Sequence, residues 1–537
     1  MKRIFLLCAL SIIILLTIVV YLPSFSAPFQ FDDVKRIAGQ KVVENFDIGN
    51  IFQYSKSRFL LYFTFAANYY FGKYNIFGYH LVNLIIHIIS SLLVFALSLI
   101  IFNSSRLKKQ NLAQHSLMLA FFSSMIFALH PIQTESVTYI WQRGESMTGM
   151  FYLLAIFLYA KFRLNQDSRN PSKKGFLFYA VCIIAIILCS FTKPNSVTLP
   201  VAILFYEIYF LSKGMKEFKG SLKYLAPILL FVLLPAALAK FDAGENKDVA
   251  IRLTSYYMPY YYTKLRVLAN SLLLMACPVH QTLEYSIIWS VSLINPVSTL
   301  YSLIILLSLI ATCIFSFRRD TLISFAISWF FLTLSVTTIL FLEDIFFEHY
   351  LYLPLFVYSV IVPALSIRIV DNLKINRKWW LAFIVILTAL YSTATYNRNL
   401  IWKTEVSLWE DAVKKSPYRS RAHYTLGVYY FRAKRYEEAL KEYALALKLK
   451  PEYPEVYYRL GEYYFTLRDI EKAIANYKKA IEINPEFFEA YLNMGNVYLD
   501  AGQYENAGRC FRNALKYTED EDIIKSINYI LKRGWAL

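Results

Sequence analysis

Carboxylates and histidines stand near the ends of apolar segments in this sequence. Asp32 and Asp33 are adjacent and follow the first apolar run, and Glu135 lies between His130 and Arg143. Adjacent acids can hold a divalent ion, Mg²⁺ or Mn²⁺, or act as a general base towards a hydroxyl when one has a raised pKa. We therefore expect Asp32 or Asp33 to be catalytic, with a solvated turn as the alternative for this pair.

Cations occur at similar places along the chain. Arg58 follows the acidic pair, Lys193 ends an apolar run, and His349 with Tyr350 precedes another. Cationic side chains at a membrane surface suit a phosphate group, and carboxylates suit a hydroxyl acceptor. The pattern predicts that Arg143, Lys193, Arg58 and His349 bind the phosphate of a donor. Glu135 is expected to orient the acceptor or to help hold a metal.

A second set of polar residues lies within an apolar segment. His80, Asn83 and His87 are spaced i, i+3 and i+7 and so share one face of a helix. Ionisable groups inside a bilayer face partners or a watery cavity. Together with His130 and Tyr350 they are candidates for lining an active site, and hydrogen bonding between helices is the alternative.

Neither GxGxxG nor GxxxxGK[ST] occurs in the sequence. A soluble nucleotide donor is therefore disfavoured, and an activated lipid is the natural substitute.

These residues must be positioned by membrane helices, because the composition excludes an ordinary soluble protein. The 537 residues are 57% apolar and only 18% charged. Apolar runs predict about eleven spans within residues 1–396. The first run, 4–22, is longer than a secretory h-region, so a retained span is expected. Segment 263–277 is predicted to be interfacial or re-entrant.

Basic residues indicate the orientation of the spans. Most of the net charge of +18 belongs to the apolar part of the chain, in short loops that fall on the side of the N-terminus. By the positive-inside rule the N-terminus is cytoplasmic, and an odd number of spans places the C-terminal tail outside. This bias argues for membrane topology and against nucleic-acid binding. The six cysteines are scattered singly and suggest neither disulfides nor a zinc site.

The C-terminal tail repeats with a period of 34 residues, as Gly427, Gly461 and Gly495 show. Small residues at these offsets let paired helices pack closely, which is the tetratricopeptide pattern. We expect 397–419 to be a linker helix and 420–537 to hold three repeats and a capping helix. The concave face should expose a peptide groove formed by Tyr424, Phe431, Tyr458, Phe465 and Asn496. The alternative is that these residues only pack between repeats.

Taken together, these motifs resemble the GT-C membrane glycosyltransferases, and among them the transmembrane and tetratricopeptide-repeat O-mannosyltransferases and bacterial relatives. The resemblance rests on Phe31-Asp32-Asp33, Phe77 to Asn83 with His87, His130-Pro131, His349 to Pro354 and the appended repeats. One departure is His349, where the family has arginine. The resemblance implies an all-α polytopic bundle, a polyprenyl-phosphate-linked sugar donor, an acidic base in the first outer loop and inversion at the anomeric carbon.

The leading hypothesis is a glycosyltransferase of the bacterial inner membrane that transfers a hexose to Ser or Thr of an exported protein, with the repeats outside binding the acceptor. Two alternatives stay open. The acceptor could be a glycolipid or cell-envelope polysaccharide. The chain could also be a non-catalytic scaffold or transporter whose repeats recruit partners.

Overall fold

The computed structural model describes residues 2–108, 112–165, 173–243, 257–340 and 344–532, and every regular element in these ranges is helical. The chain divides into two compact units. The first comprises Met1–Leu283 and Ile287–Thr404, and the second comprises Glu284–Ser286 and Glu405–Leu537. Residues 397–419, which the sequence predicts as one linker helix, contain the end of helix Arg377–Ile401, a break, and helix Glu405–Lys415.

In the described residues of the first unit, 11 helical segments are long and apolar enough to cross a membrane. The chain is a multi-pass membrane protein, and the number of spans agrees with the apolar runs of the sequence. In chain order, the first to eleventh spans are Ile4–Ser26, Ile76–Phe102, Leu112–Leu129, Ile140–Leu164, Lys173–Ser190, Pro194–Leu211, Met215–Asp242, Ser298–Ser316, Thr321–Ile339, Pro354–Asn372 and Arg377–Ile401.

Polar residues set the starts of several spans. The side chains of Asn75, Asp320 and Asn376 each accept a hydrogen bond from a backbone N–H in the first turn of the helix that follows. Such N-caps satisfy donors that a helix start leaves without partners. The second, ninth and eleventh spans therefore begin at defined residues.

The core of the first unit lies among the second, third and fourth spans, whose apolar windows are the most buried. Gly149 of the fourth span has no side chain, and a Cβ there would lie 2.5 Å from the ring of Tyr352. The close approach lets the segment before the tenth span pack against the core. His349 and Tyr350 are positioned by this segment.

Helix Tyr257–Ala276 is not among the spans. Near its start, Tyr260 Oη donates to the carbonyl of Leu340 at 2.9 Å and Lys264 Nζ to that of Ile345 at 2.6 Å. Near its end, the carbonyl of Met275 lies 2.9 Å from Nε2 of His130. Residues 340 and 345 follow the ninth span and residue 130 follows the third, so both ends of this helix contact loops of the same membrane face.

The loop after the first span folds into short helices before the second span begins. They are Asp32–Arg36, Lys41–Glu44, Ile48–Tyr54 and Phe59–Gly72. Further short helical segments connect or extend the spans, at Ser105–Lys108, Pro131–Gln133, Thr134–Thr138, Glu207–Leu211 and Glu348–Leu351.

Among its described residues the second unit contains helix Glu405–Lys415, three helix pairs and a final helix. The pairs are Ser420–Arg432 with Tyr436–Leu449, Pro454–Thr466 with Ile470–Ile483, and Phe488–Asp500 with Tyr504–Ala514, and the last helix is Glu521–Lys532. In the second pair, a Cβ at Gly461 would lie 2.6 Å from the ring of Tyr477. The glycines that recur every 34 residues therefore mark the closest contact between paired helices.

Candidate active site

A cavity of about 260 Å³ brings together many of the residues that the sequence singles out. We call it the candidate pocket. Its polar and charged lining residues include Asp32, Arg58, Lys193, His349 and Tyr350. The other lining residues are Phe31, Arg36, Leu61, Tyr139, Trp141, Gln142, Gly144, Pro194, Asn195, Val336, Thr337, Leu340 and Phe347.

All these residues lie in the loops after the first, third, fifth and ninth spans or at the adjoining ends of spans. A chain that crosses a membrane at each span returns to the same face after every second span. The lining residues therefore share one face, which we call the pocket face. If helix 257–276 crossed the membrane fully, the loop after the ninth span would lie on the other face and could not line the pocket with the other loops. The pocket lining therefore agrees with the prediction that this helix does not cross.

Asp32 begins helix Asp32–Arg36, and its side chain is 29% exposed in the pocket. The backbone N–H of Asp32 donates to the Tyr139 hydroxyl at 2.9 Å, and Arg36 Nε lies 3.7 Å from the Asp32 carboxylate. The residue before it, Phe31, has φ of 49° and ψ of −115°. Such a conformation costs on the order of 1–3 kcal/mol for a residue with a side chain and is concentrated at functional sites. The backbone strain lies directly next to the accessible carboxylate.

Asp33 has a different position, because it is buried beneath the loop. Its Oδ2 accepts the backbone N–H of Gln30 at 3.0 Å, and its Oδ1 accepts that of Trp141 at 2.7 Å. Burial raises the pKa of Asp33 to about 8, although these hydrogen bonds favour the ionised form. Both carboxylate oxygens are thus engaged, Oδ2 within the first loop and Oδ1 with the start of the fourth span.

Two arginines of the pocket lie over one indole ring. The guanidinium carbons of Arg36 and Arg58 are 5.2 and 5.5 Å from the ring centroid of Trp141. A cation near an aromatic face gains about 0.5–2 kcal/mol, with the larger values at desolvated sites. Trp141 therefore holds two positive charges close to the Asp32 carboxylate.

Lys193 supplies a third cation. Its Nζ lies 2.5 Å from Oε2 of Glu145, which is nearly buried, and 5.8 Å from the ring centroid of Tyr350. Asn195 Nδ2 also approaches the Glu145 carboxylate, at 3.4 Å from Oε1. Glu145 therefore orients the ammonium group of Lys193 at the pocket wall.

Glu135 lies behind the pocket and bonds to His349. Its Oε1 is 2.7 Å from Nδ1 of His349, and its Oε2 accepts the backbone N–H of Glu348 at 2.9 Å. Burial raises the pKa of Glu135 to about 8 and lowers the pKa of His349 well below its usual value. The lowered pKa favours the neutral imidazole of His349, which lines the candidate pocket beside Glu135. Its predicted contact with a donor phosphate stays a prediction.

No group of three or more His, Cys, Asp or Glu side chains within the described ranges is arranged to hold a metal ion. Glu135, for which holding a metal is one of the two predicted roles, bonds through its two oxygens to the backbone of Glu348 and the imidazole of His349.

Arg143 differs from its predicted role as a phosphate contact, because it is fully buried. It donates from Nε to Asn83 Oδ1 at 2.6 Å, from Nη1 to Thr64 Oγ1 at 3.1 Å and from Nη2 to the Tyr79 carbonyl at 2.9 Å. Its guanidinium also lies 4.5 Å from the Phe65 ring centroid. Arg143 connects the fourth span to the second span and to helix Phe59–Gly72.

The polar residues of the second span also hold helices together. His80 Nε2 lies 2.9 Å from the carbonyl of Ala27, and Asn83 Nδ2 donates to the carbonyl of Val137 at 3.0 Å. His87 lies between the Tyr352 hydroxyl and the Ala128 carbonyl, 3.0 Å from each. His130 accepts the backbone N–H of Ile132 at its Nδ1. None of these four side chains lines the candidate pocket, so the alternative of hydrogen bonding between helices is the better description.

Three of the predicted groove residues, Tyr424, Phe431 and Tyr458, contact other side chains of the repeats. The ring of Tyr424 lies 5.3 Å from that of Tyr453, and the ring of Tyr458 lies 5.2 Å from that of Phe487. Asn493, which the sequence analysis did not single out, donates to the Tyr458 hydroxyl at 2.9 Å. These contacts join successive repeats. Phe431 packs on Tyr436 within the first repeat, Phe465 is partly buried, and Asn496 is exposed.

Arg36, Tyr139 and Trp141 line the pocket but are not predicted from the sequence. A signal was present for Arg36, because it stands four residues after Asp32 and would share a helix face with it. Tyr139 and Trp141 carry no such signal, since their proximity to Asp32 depends on contacts across more than a hundred residues.

Comparison with family models places tetratricopeptide repeats in the tail. Residues 427–467 and 464–502 match the TPR repeat model, and residues 488–521 match the Tetratricopeptide repeat model.

Over most of its length the chain resembles protein O-mannosyl-transferases of animals. It is 26% identical to one from Caenorhabditis elegans, covering 82% of this chain and 62% of the relative. It is 24% identical to Tmtc3 of Drosophila melanogaster, covering 80% and 54%, and 24% identical to TMTC1 of Homo sapiens, covering 72% and 47%. The chain thus spans about half to three fifths of the length of these relatives.

Two solved structures are similar to parts of the chain. The Archaeoglobus fulgidus oligosaccharyltransferase in its apo form gives a TM-score of 0.40 at 14% identity, covering 74% of this chain and 56% of that one. The crystal structure of MamA gives a TM-score of 0.21 at 25% identity, covering 29% of this chain and 85% of that one.

Proposed function

We propose, from its resemblance to protein O-mannosyl-transferases, that this chain is a membrane glycosyltransferase whose candidate pocket transfers a sugar from a polyprenyl-phosphate donor to a hydroxyl group. The observation that carries the proposal is the composition of the pocket. Asp32 is the one carboxylate among the described lining residues, and it lies among Arg36, Arg58 and Lys193. A carboxylate suits an acceptor hydroxyl, and the cations suit a leaving phosphate.

In the proposed reaction the acceptor oxygen attacks the anomeric carbon of the sugar. The bond from that carbon to the phosphate oxygen breaks, and the lipid phosphate leaves with the bonding electrons. Asp32 takes the hydroxyl proton, while Arg58 and Lys193 meet the charge on the phosphate. A single displacement of this kind inverts the anomeric configuration.

The names of the relatives favour mannose as the sugar and a protein as the acceptor. We propose that the tetratricopeptide repeats bind this acceptor, since such repeats present extended concave surfaces. Because repeats and membrane unit are one chain, a bound peptide would have a raised effective concentration at the pocket.

We also propose that the pocket face is the outer face of a bacterial inner membrane. Loops of the opposite face carry basic residues such as Arg106, Lys213 and Arg318, which suit a cytoplasmic position. A donor carried by a lipid is compatible with an outer compartment that lacks nucleotide sugars.

The test compares wild type with Asp32→Asn and Asp33→Asn in transfer of mannose from a synthetic polyprenyl phosphate to Ser/Thr peptides. We expect Asp32→Asn to lower kcat by about a hundredfold or more, the usual contribution of a general base, with unchanged thermal stability. Asp33→Asn should retain most of the transfer but lose about 1–3 kcal/mol of stability. The asparagine NH2 group would face a backbone N–H that now donates to a carboxylate oxygen, so that one hydrogen bond is lost.

Full transfer by Asp32→Asn would overturn the proposed base. Transfer to a glycolipid but not to peptides would replace the acceptor, and no transfer from any lipid donor would favour the scaffold alternative. The same assay with EDTA, and with Mg²⁺ or Mn²⁺ restored, measures the requirement for a divalent cation.

A further inference from the structure

A second cavity of about 600 Å³ lies at the ends of the second, fourth and sixth spans, on the face opposite the candidate pocket. Its lining includes the three lysines Lys108, Lys161 and Lys213, and we call it the lysine cavity. Its walls are largely apolar and include Ala96 and Phe157. It shares no residue with the candidate pocket.

The lysines differ from the neighbouring arginines in their partners. Arg106 donates to the carbonyl of Ser212 at 3.3 Å, and Arg163 forms an ion pair with the buried Glu207 at 2.8 Å. No acidic side chain is among the described residues that line the lysine cavity. The arginines therefore serve the fold, whereas three positive charges face one cavity and favour an anionic occupant.

The cavity also reaches into the apolar part of the bundle. Ala96 lies six residues before the end of the second span and Phe157 seven before the end of the fourth, or about 9 and about 11 Å along the helices. The Nζ of Lys161 lies 5.5 Å from the Phe157 ring centroid, where the polar and apolar parts meet. An occupant must therefore carry its negative charge next to an apolar chain.

Ser104, another residue of the cavity lining, carries a polar atom without a hydrogen-bond partner. The residue is 8% exposed, and the atom is its buried Oγ. Residues Glu207–Leu211 form a π-helical turn, a feature frequent at functional sites, and Phe210 and Leu211 at its end line the cavity.

We propose that the lysine cavity binds one anionic glycerophospholipid. Its headgroup phosphate contacts Lys108, Lys161 and Lys213, and an acyl chain lies along Ala96 and Phe157. Basic pockets between membrane helices are known to suit such headgroups. The inference does not depend on the proposed enzymatic function.

The test uses the delipidated full-length protein in detergent, with phosphatidylglycerol and phosphatidylcholine of identical acyl chains as probes. We expect native mass spectrometry to show one phosphatidylglycerol molecule retained more strongly than phosphatidylcholine, with a matching rise in the melting temperature. The triple variant Lys108→Gln, Lys161→Gln, Lys213→Gln should weaken phosphatidylglycerol binding by roughly tenfold or more.

Two further variants separate the cavity from general surface charge. The matched control Lys174→Gln, Lys216→Gln, Lys219→Gln removes the same charge from exposed positions of the same face and should leave binding unchanged. Ala96→Trp keeps every charge but fills the apolar part, and it should also abolish retention. Equal retention of both lipids, an equal loss in the control, or displacement of the lipid by inorganic phosphate would overturn the proposal.

Discussion

Residues of the same type have different environments in this protein. Asp32 is accessible and lies among cations, whereas Asp33 is buried with both oxygens bonded to backbone N–H groups. Arg58 lines the pocket, whereas Arg143 is buried within the bundle. Burial and hydrogen bonding, rather than residue type, separate candidates for chemistry from residues that stabilise the fold.

His349 provides a prediction about pH. Burial lowers its pKa and so favours the neutral form through the pH range in which an exposed histidine loses its proton. The KM for the lipid-phosphate donor should therefore change with pH in the same way in wild type and in His349→Gln, within about twofold. Steady-state kinetics at several pH values measures this. A rise in KM through pH 6.5 in wild type alone would show that His349 carries a charge.

Trp141 provides a prediction about donor binding. Replacing it with leucine removes the ring that faces Arg36 and Arg58, and the cation–π energies correspond to a rise in donor KM of roughly three- to thirtyfold. Trp141→Phe keeps an aromatic face and should show a smaller rise. The kcat should change less than KM, because Asp32 is retained. Unchanged KM in the leucine variant would mean that these arginines do not hold the donor.

At the scale of elements, close helix contacts depend on glycines without side chains. Gly461 faces the ring of Tyr477 at a distance that a Cβ cannot adopt. Gly508, in helix Tyr504–Ala514, has no atom nearer than 3.6 Å to such a Cβ. The two glycines therefore form a matched pair in neighbouring repeats of the second unit.

We expect Gly461→Ala to destabilise the repeats by about 1–3 kcal/mol, because the added methyl group forces the helices apart. Gly508→Ala should be neutral or stabilise by up to about 1 kcal/mol, since alanine favours helix more than glycine does. Hydrogen exchange of the repeat helices in the full-length protein measures both effects. Equal protection in the two variants would contradict the tight contact between paired helices.

At the scale of the whole chain, membrane topology decides which residues can form one site. Loops separated by hundreds of residues line the candidate pocket because the spans return them to the same face. The lysine cavity lies among the loops of the other face. The arrangement places the proposed donor site and the proposed lipid site on opposite faces.

Cysteine labelling tests this topology. In a Cys8→Ser, Cys277→Ser background, which removes the exposed native thiols, a cysteine at Asn50 reports the pocket face and one at Lys216 the opposite face. An impermeant thiol reagent added to intact spheroplasts should label Asn50→Cys at once and Lys216→Cys only after permeabilisation. Labelling of both before permeabilisation would require an odd number of additional crossings between them.

Much of this organisation follows from the sequence alone, and the all-α class, the membrane helices and the repeats are confirmed. Apolar runs and a 34-residue period are local patterns, and local patterns specify helices without knowledge of the partners they pack against. The catalytic and phosphate-binding roles stay predictions.

Only the tertiary structure decided which polar residues meet. The contacts of Asp33 with Trp141, Arg143 with Asn83, and Glu135 with His349 join segments between 60 and 214 residues apart. Nothing in the local spacing of these residues distinguishes a buried, bonded side chain from an accessible one. Burial depends on how the spans pack, and it determines both the pKa of a side chain and its access to a ligand.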